Sequence, residues 1–122
     1  RPFFIGRNGM GRVTGIGGVF FPAQDPDALG AWSAEHLGVG GGAAPWRQSA
    51  GETVFAPLPA ETDDFPADRA FMLNFRVDDL DARLSGAGIA AETRAEWDGP
   101  HGRFARIHDP EGNPVELWQP PA

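Results

Sequence analysis

The sequence predicts an α+β fold made of two similar halves, and three observations carry that prediction. Short stretches of alternating apolar and polar residues, bounded by Gly, Pro and Asp, read as strands. Two segments with acidic N-caps and glycine stops read as helices. The stretches GVFFPAQDPDAL and MLNFRVDDLDARL then align strand, acidic cap and following leucine, so the order strand, helix, two or three strands occurs twice. A copy of about 50 residues is too small to bury a core of its own, which suggests two modules completing one fold.

The elements follow in order. Residues 1–12, RPFFIGRNGMGR, are glycine-rich and aperiodic and predict a flexible arm. The nearby glycines 9, 11, 15, 17 and 18 do not make a nucleotide loop, because such a loop follows a strand and opens a helix, whereas these precede a strand over residues 13–22. Asp25 then supplies an N-cap, Pro26 the first helical position and Asp27 a charge suited to the positive end of the helix dipole. Leu29, Trp32 and Leu37 share one helical face, His36 reads as a solvated helix residue, and Gly38 is a stop. Residues 39–50 are rich in Gly and Ala, with one short candidate strand around 46–48. TVFAPL, residues 53–58, is a fuller strand whose Pro57 suits an edge or an end. The polar, proline-bearing stretch 59–70 reads as a linker.

After the linker the pattern restarts. AFMLNFRV (70–77) predicts a strand, and DDLDARLSGAGI a short helix capped by Asp78 or Asp79 and closed by Gly86 and Gly88. Residues 90–97 predict a strand, and GRFARIHD and PVELWQ two more, joined by DPEGN, whose residues are those turns require. The expected organisation is one domain over 13–122, with module one at 13–58, the linker at 59–70 and module two at 71–120.

Composition bounds the function. The net charge of -7, with ten basic residues that are all arginine and scattered, argues against nucleic acid, which needs a basic face. No apolar run approaches the roughly 20 residues that span a bilayer, and no secretory signal is visible, so the expected compartment is the cytoplasm. The chain has no cysteine, which removes disulfides, thiolate nucleophiles and cysteine-type zinc sites. The lack of lysine and tyrosine beside abundant Ala, Gly and Pro fits a GC-rich bacterial genome.

GVFFPAQDPDALGAWSAEHLGV, NFRVDDLDARL and above all GRFARIHDPEGNPVELWQP resemble the vicinal oxygen chelate superfamily, which includes glyoxalase I, extradiol dioxygenases, fosfomycin-resistance enzymes and bleomycin-resistance proteins. The turn followed by an apolar-Glu-Leu strand is the most specific of these stretches. The resemblance spans residues 13–120 and is nearest to small bacterial glyoxalase-like proteins. It implies two βαβββ modules whose curved mixed sheets enclose a cleft, and a homodimer. It also implies one divalent metal held by four side chains on the first and last strands of each module. Those positions fall here at Gly18, at Met72, in the middle of 53–58 where no carboxylate stands, and at Glu116. Only Glu116 matches, so the implied metal site is degenerate and no cofactor is expected.

Strand alternation selects the other candidates. Leu73, Phe75 and Val77 form an apolar row for the helices, which turns Met72, Asn74 and Arg76 to the cleft. Glu116 and Trp118 oppose Val115 and Leu117 in the same way, and Phe104, Arg106 and His108 oppose Ala105 and Ile107. Asn74, Arg76 and Arg106 are expected to bind polar groups of a ligand, and Phe20, Trp46, Phe104 and Trp118 to wall it. Glu116 has three readings: a structural ion pair with Arg76 or Arg106, a ligand anchor, or a catalytic acid–base together with His101 in the loop DGPHGRF. The expected function is a metal-independent small-molecule binder holding an amphipathic ligand. The alternative is a lyase, isomerase or dioxygenase using Glu116.

Overall fold

The computed structural model describes residues 11–40 and 45–122. Its regular elements are helix α1 (Pro26–Leu37), strand β1 (Leu73–Arg76), helix α2 (Leu80–Ala87), a 3-10 turn (Ala95–Trp97) and strands β2 (Arg103–His108) and β3 (Pro114–Gln119). The architecture is a small mixed α+β fold with a three-stranded sheet in the order β1-β3-β2. β1 runs parallel to β3, and β2 antiparallel to it. Glu92 adds a single antiparallel bridge to Arg106 outside β2, with both main-chain hydrogen bonds at 2.8 Å.

Both helices begin and end where their caps dictate. The Asp25 carboxylate accepts from the Ala28 amide at 3.0 Å, and Pro26 opens α1. Asp79, rather than Asp78, caps α2 by accepting from Ala82 at 3.1 Å. Gly38 and Gly88 close the two helices with φ of 70° and 67°, left-handed conformations that only glycine adopts without cost. The first free amide of α2, that of Leu80, donates to the Gln119 side chain at 2.8 Å, so the end of β3 satisfies the start of the helix.

One face of the sheet is the core. Ala105, Ile107, Val115 and Leu117 are buried there with Leu80, and Trp32, Leu37, Phe75, Val77, Leu84 and Ile89 pack around them. The helix of the first half therefore shares the core of the second half. Its far end is tied down as well: the Gln24 and Asp25 amides donate to the two carboxylate oxygens of Glu111 at 2.8 and 2.9 Å. Glu111 stands in the turn between β2 and β3. The turn is closed by Asp109, whose carboxylate accepts from the amides of Glu111 and Asn113 and from the Asn113 side chain. Arg69 braces it from the linker by donating to the Asn113 side chain at 2.9 Å.

Several expected strands take another form. The stretches 13–22, 46–48 and 53–58 run without ladder hydrogen bonds, and 90–97 keeps only the Glu92 bridge before entering the 3-10 turn, where the Trp97 amide donates to the Arg94 carbonyl at 3.1 Å. Alternation marks a residue as fit for a strand, but a strand forms only against a partner with free donors and acceptors. Gly15, Gly17 and Gly18 bring no side chain to pack, and Pro22 and Pro57 bring no N–H. The predicted arm lies outside the described residues, Gly11 and Arg12 excepted.

Arg103 of β2 reaches back to α2 and holds Asp81 with two hydrogen bonds of 3.0 and 3.1 Å. Hydrogen bonding from Arg103, and then its charge, keep the Asp81 carboxyl below its ordinary range, against a small opposing effect of burial. A folded-state value below the unfolded one means stability that is present above the ordinary carboxylate range and lost as pH falls through the folded value. Wild type should therefore melt above Asp81→Asn at neutral pH, and the gap should close as the buffer is taken below about pH 4. A gap that stays constant with pH would show that titration of Asp81 contributes nothing.

Candidate functional site

The sheet face opposite the core carries the polar and aromatic candidates. Register puts Asn74 beside Glu116 and Arg76 beside Trp118 across β1 and β3, and Arg106 beside Glu116 and Phe104 beside Trp118 across β2 and β3. The side-chain alternation read from the sequence therefore holds in all three strands. The Asn74 amide donates to Glu116 Oε1 at 2.8 Å. The Phe104 and Trp118 rings stack nearly parallel, at 7° and 6.3 Å between centroids. Trp118 is oriented further by donating its indole N–H to the His101 carbonyl at 2.7 Å.

Arg106 sits beside this group with its guanidinium 5.5 Å from the centre of the Trp97 ring. Arg94 covers the same ring at 5.2 Å and is paired to Glu92 at 2.6 Å. Arg94 thus has its counter-charge, while the buried Nε of Arg106 has no hydrogen-bond acceptor. A buried donor without a partner costs about 1–3 kcal/mol, so this guanidinium carries hydrogen-bonding capacity that the protein leaves unused. Among the described residues Glu116 forms no ion pair with Arg76 or Arg106, so Asn74 is the partner that holds it.

The other candidates lie elsewhere. Arg76 donates to the Ser49 and Ala50 carbonyls at 3.0 and 3.4 Å. Its guanidinium lies so close to Gly51 that any Cβ there would collide with it. Trp46 packs edge-on against Phe75 at 6.1 Å, and Phe75 belongs to the core side of the sheet. Phe20 is 94 % exposed, its ring lying over its own Gly18. The His101 side chain is exposed in the short hairpin closed by Gly99 and Gly102, which exchange two main-chain hydrogen bonds of 3.0 Å, and no hydrogen bond links its imidazole to Glu116. Sequence reasoning overlooked Trp97 and Glu92. Their stretch, AETRAEW, predicts a strand, and its acid-Arg spacing is the one hint of an ion-paired arginine lying on an aromatic ring.

Among the described residues no cluster of three or more His, Cys, Asp or Glu side chains is close enough to hold an ion. The immediate neighbours of Glu116 are the Asn74 amide, which turns its N–H toward it, and a cationic arginine, so no second carboxylate or imidazole stands beside it.

No family model matches the chain, and no curated protein matches it. Among solved structures it is similar to TnmS3, an antibiotic binding protein from Streptomyces sp. CB03234. The identity is 26%, the TM-score is 0.51, and the match covers 89% of this chain and 98% of that one.

Proposed function

We propose that this protein is a metal-independent, cytoplasmic small-molecule binder of the bleomycin-resistance type within the vicinal oxygen chelate superfamily. It would hold an amphipathic, partly aromatic ligand on the outer face of β1-β3-β2. One observation carries the reading: a stacked Phe104–Trp118 pair lies beside an Asn74–Glu116 pair and an arginine whose buried N–H lacks an acceptor. Stacked rings offer a planar ligand apolar area with defined geometry, and Arg106 and Glu116 offer one donor and one acceptor to fix its orientation. The similarity to an antibiotic binding protein supports the same class of ligand. Among the described residues no helix is long and apolar enough to cross a membrane.

The wider architecture in this reading is a pair of βαβββ modules, with the second copy of a homodimer covering the apolar residues that the first half exposes. Val13 is 90 %, Val54 74 % and Phe55 85 % accessible, and large apolar residues left this open mark surfaces that bind other surfaces.

Thermal-shift screening against aromatic antibiotics and amphipathic metabolites tests the proposal. A compound at 100 times its Kd should stabilise the fold by about 2.7 kcal/mol. Trp118→Ala and Glu116→Gln should each weaken that compound at least tenfold, equivalent to about 1.4 kcal/mol. A broad panel that never moves the melting temperature, or a hit that both variants bind as wild type does, would refute it.

A further inference from the structure

On the core side of the sheet, away from the face just described, a cavity of about 190 Å³ opens between the end of α1, the start of α2 and the edge strand β1. Leu37, Phe75 and Val77 form its apolar floor, Trp46 stands over it, and Asp78 and Arg83 supply its charges. Trp46 is 45% exposed and meets Phe75 edge-on, so an aromatic pair lines the cavity.

Arg83 is the telling residue. Its Nε is buried and has no acceptor, and it makes no ion pair, although Asp78 lines the same cavity. Arg76, the other arginine at this cavity, already donates to the Ser49 and Ala50 carbonyls. The cavity therefore offers, beside its apolar lining, one cation and one carboxylate that are not paired with each other. An acceptor is needed for Arg83. A simple anion would meet repulsion from Asp78, the one carboxylate lining the cavity, and from the chain's net charge of -7. A ligand carrying both an acceptor and a cationic donor meets neither difficulty. The volume sets the size: at about 190 Å³ it falls below the roughly 300 Å³ at which drug-sized sites begin.

We infer that this cavity is a second binding site, taking a small apolar zwitterion of the α-amino-acid type. The carboxylate would meet Arg83, the ammonium Asp78, and the side chain would lie between Phe75 and Trp46. This site is independent of the sheet face assigned to the larger ligand.

The test is an NMR titration of the isotope-labelled full chain with L-phenylalanine, phenylacetate and 2-phenylethylamine. L-Phenylalanine should give saturable shifts at the amides of Val39, Phe75 and Val77 and at the Arg83 Nε–H. The two truncated probes, each lacking one charge, should bind at least tenfold more weakly. Arg83→Gln and Trp46→Ala should each weaken L-phenylalanine at least tenfold; Trp46, being half-exposed, can be removed with the fold kept. Absence of saturable shifts at these positions overturns the inference. So do shifts confined to Asn74, Glu116 and Trp118, a truncated probe that binds as tightly as L-phenylalanine, or undiminished binding in Trp46→Ala.

Discussion

Leu117→Ala is expected to lower the unfolding free energy by about 3–4 kcal/mol, a large part of the 5–15 kcal/mol that holds a typical domain together. Leu117 is 1 % exposed and sits on the central strand, with Phe75 beside it in β1 and Ala105 in β2. Ala105 has no side chain long enough to fill the space, and the ladders on both sides of β3 prevent the backbone from collapsing into it, so the cavity stays open. Urea denaturation followed by tryptophan fluorescence measures the change. If the alanine variant does not fold, Leu117→Val should still show a loss of about 1 kcal/mol. A loss below that in the alanine variant would mean that the centre of the core lies elsewhere. Glu116→Gln, one residue away, points to the opposite face and should leave the urea midpoint nearly unchanged, which separates the fold from the site by a single step along the strand.

Asp109→Ala is expected to cost about 3 kcal/mol. The carboxylate accepts from two amides and one side-chain amide within five residues, at 2.8–2.9 Å, and hydrogen bonds to a charged acceptor contribute roughly 1.5–3 kcal/mol each before their overlap is counted. The damage should travel. Without Asp109 the turn no longer presents Glu111 to the Gln24 and Asp25 amides, so hydrogen exchange should accelerate at the start of α1 as well as in the turn. Faster exchange confined to residues 108–114 would show that Glu111 does not hold the helix. Asp109→Asn should fall between the two, since its Oδ1 still accepts from the amides while its NH2 faces that of Asn113.

The parts of the fold legible in the sequence are those fixed by near neighbours. Asp25, Pro26 and Gly38 act within one turn of α1, and Asp79 and Gly88 within one turn of α2, so both helices were readable to a residue or two. The inward row of Phe75, Val77, Val115, Leu117, Ala105 and Ile107 follows from the two-residue period of a strand, and that period also identified the opposite row, Asn74, Glu116, Trp118, Phe104 and Arg106. Trp46 and Arg76 show where this reasoning ends. Alternation assigns Arg76 to a face, but its guanidinium is long enough to turn aside to carbonyls at Ser49 and Ala50. Trp46 lies in a stretch with no period, where hydrophobicity signals burial without saying against what. The first-half strands were overestimated for a related reason: their alternation is real, but pairing depends on partners distant in sequence. Glu111 escaped notice because an acid in a turn is ordinarily solvated, and its role depends on amides 86 and 87 positions earlier.

That last separation has a consequence for how the chain is made. The residues that anchor the start of α1, and the sheet on which Trp32 and Leu37 rest, are synthesised long after the helix itself. At roughly 5–20 residues per second on the ribosome, a stretch of 86 residues takes roughly 4–17 s. For that interval Trp32 and Leu37 lack the sheet face they pack on. Folding must wait for the C-terminal hairpin and then proceed through contacts remote in sequence, the kind that closes slowly. A nascent chain of this design depends on whatever shields Trp32 and Leu37 until residues 103–119 emerge to meet them.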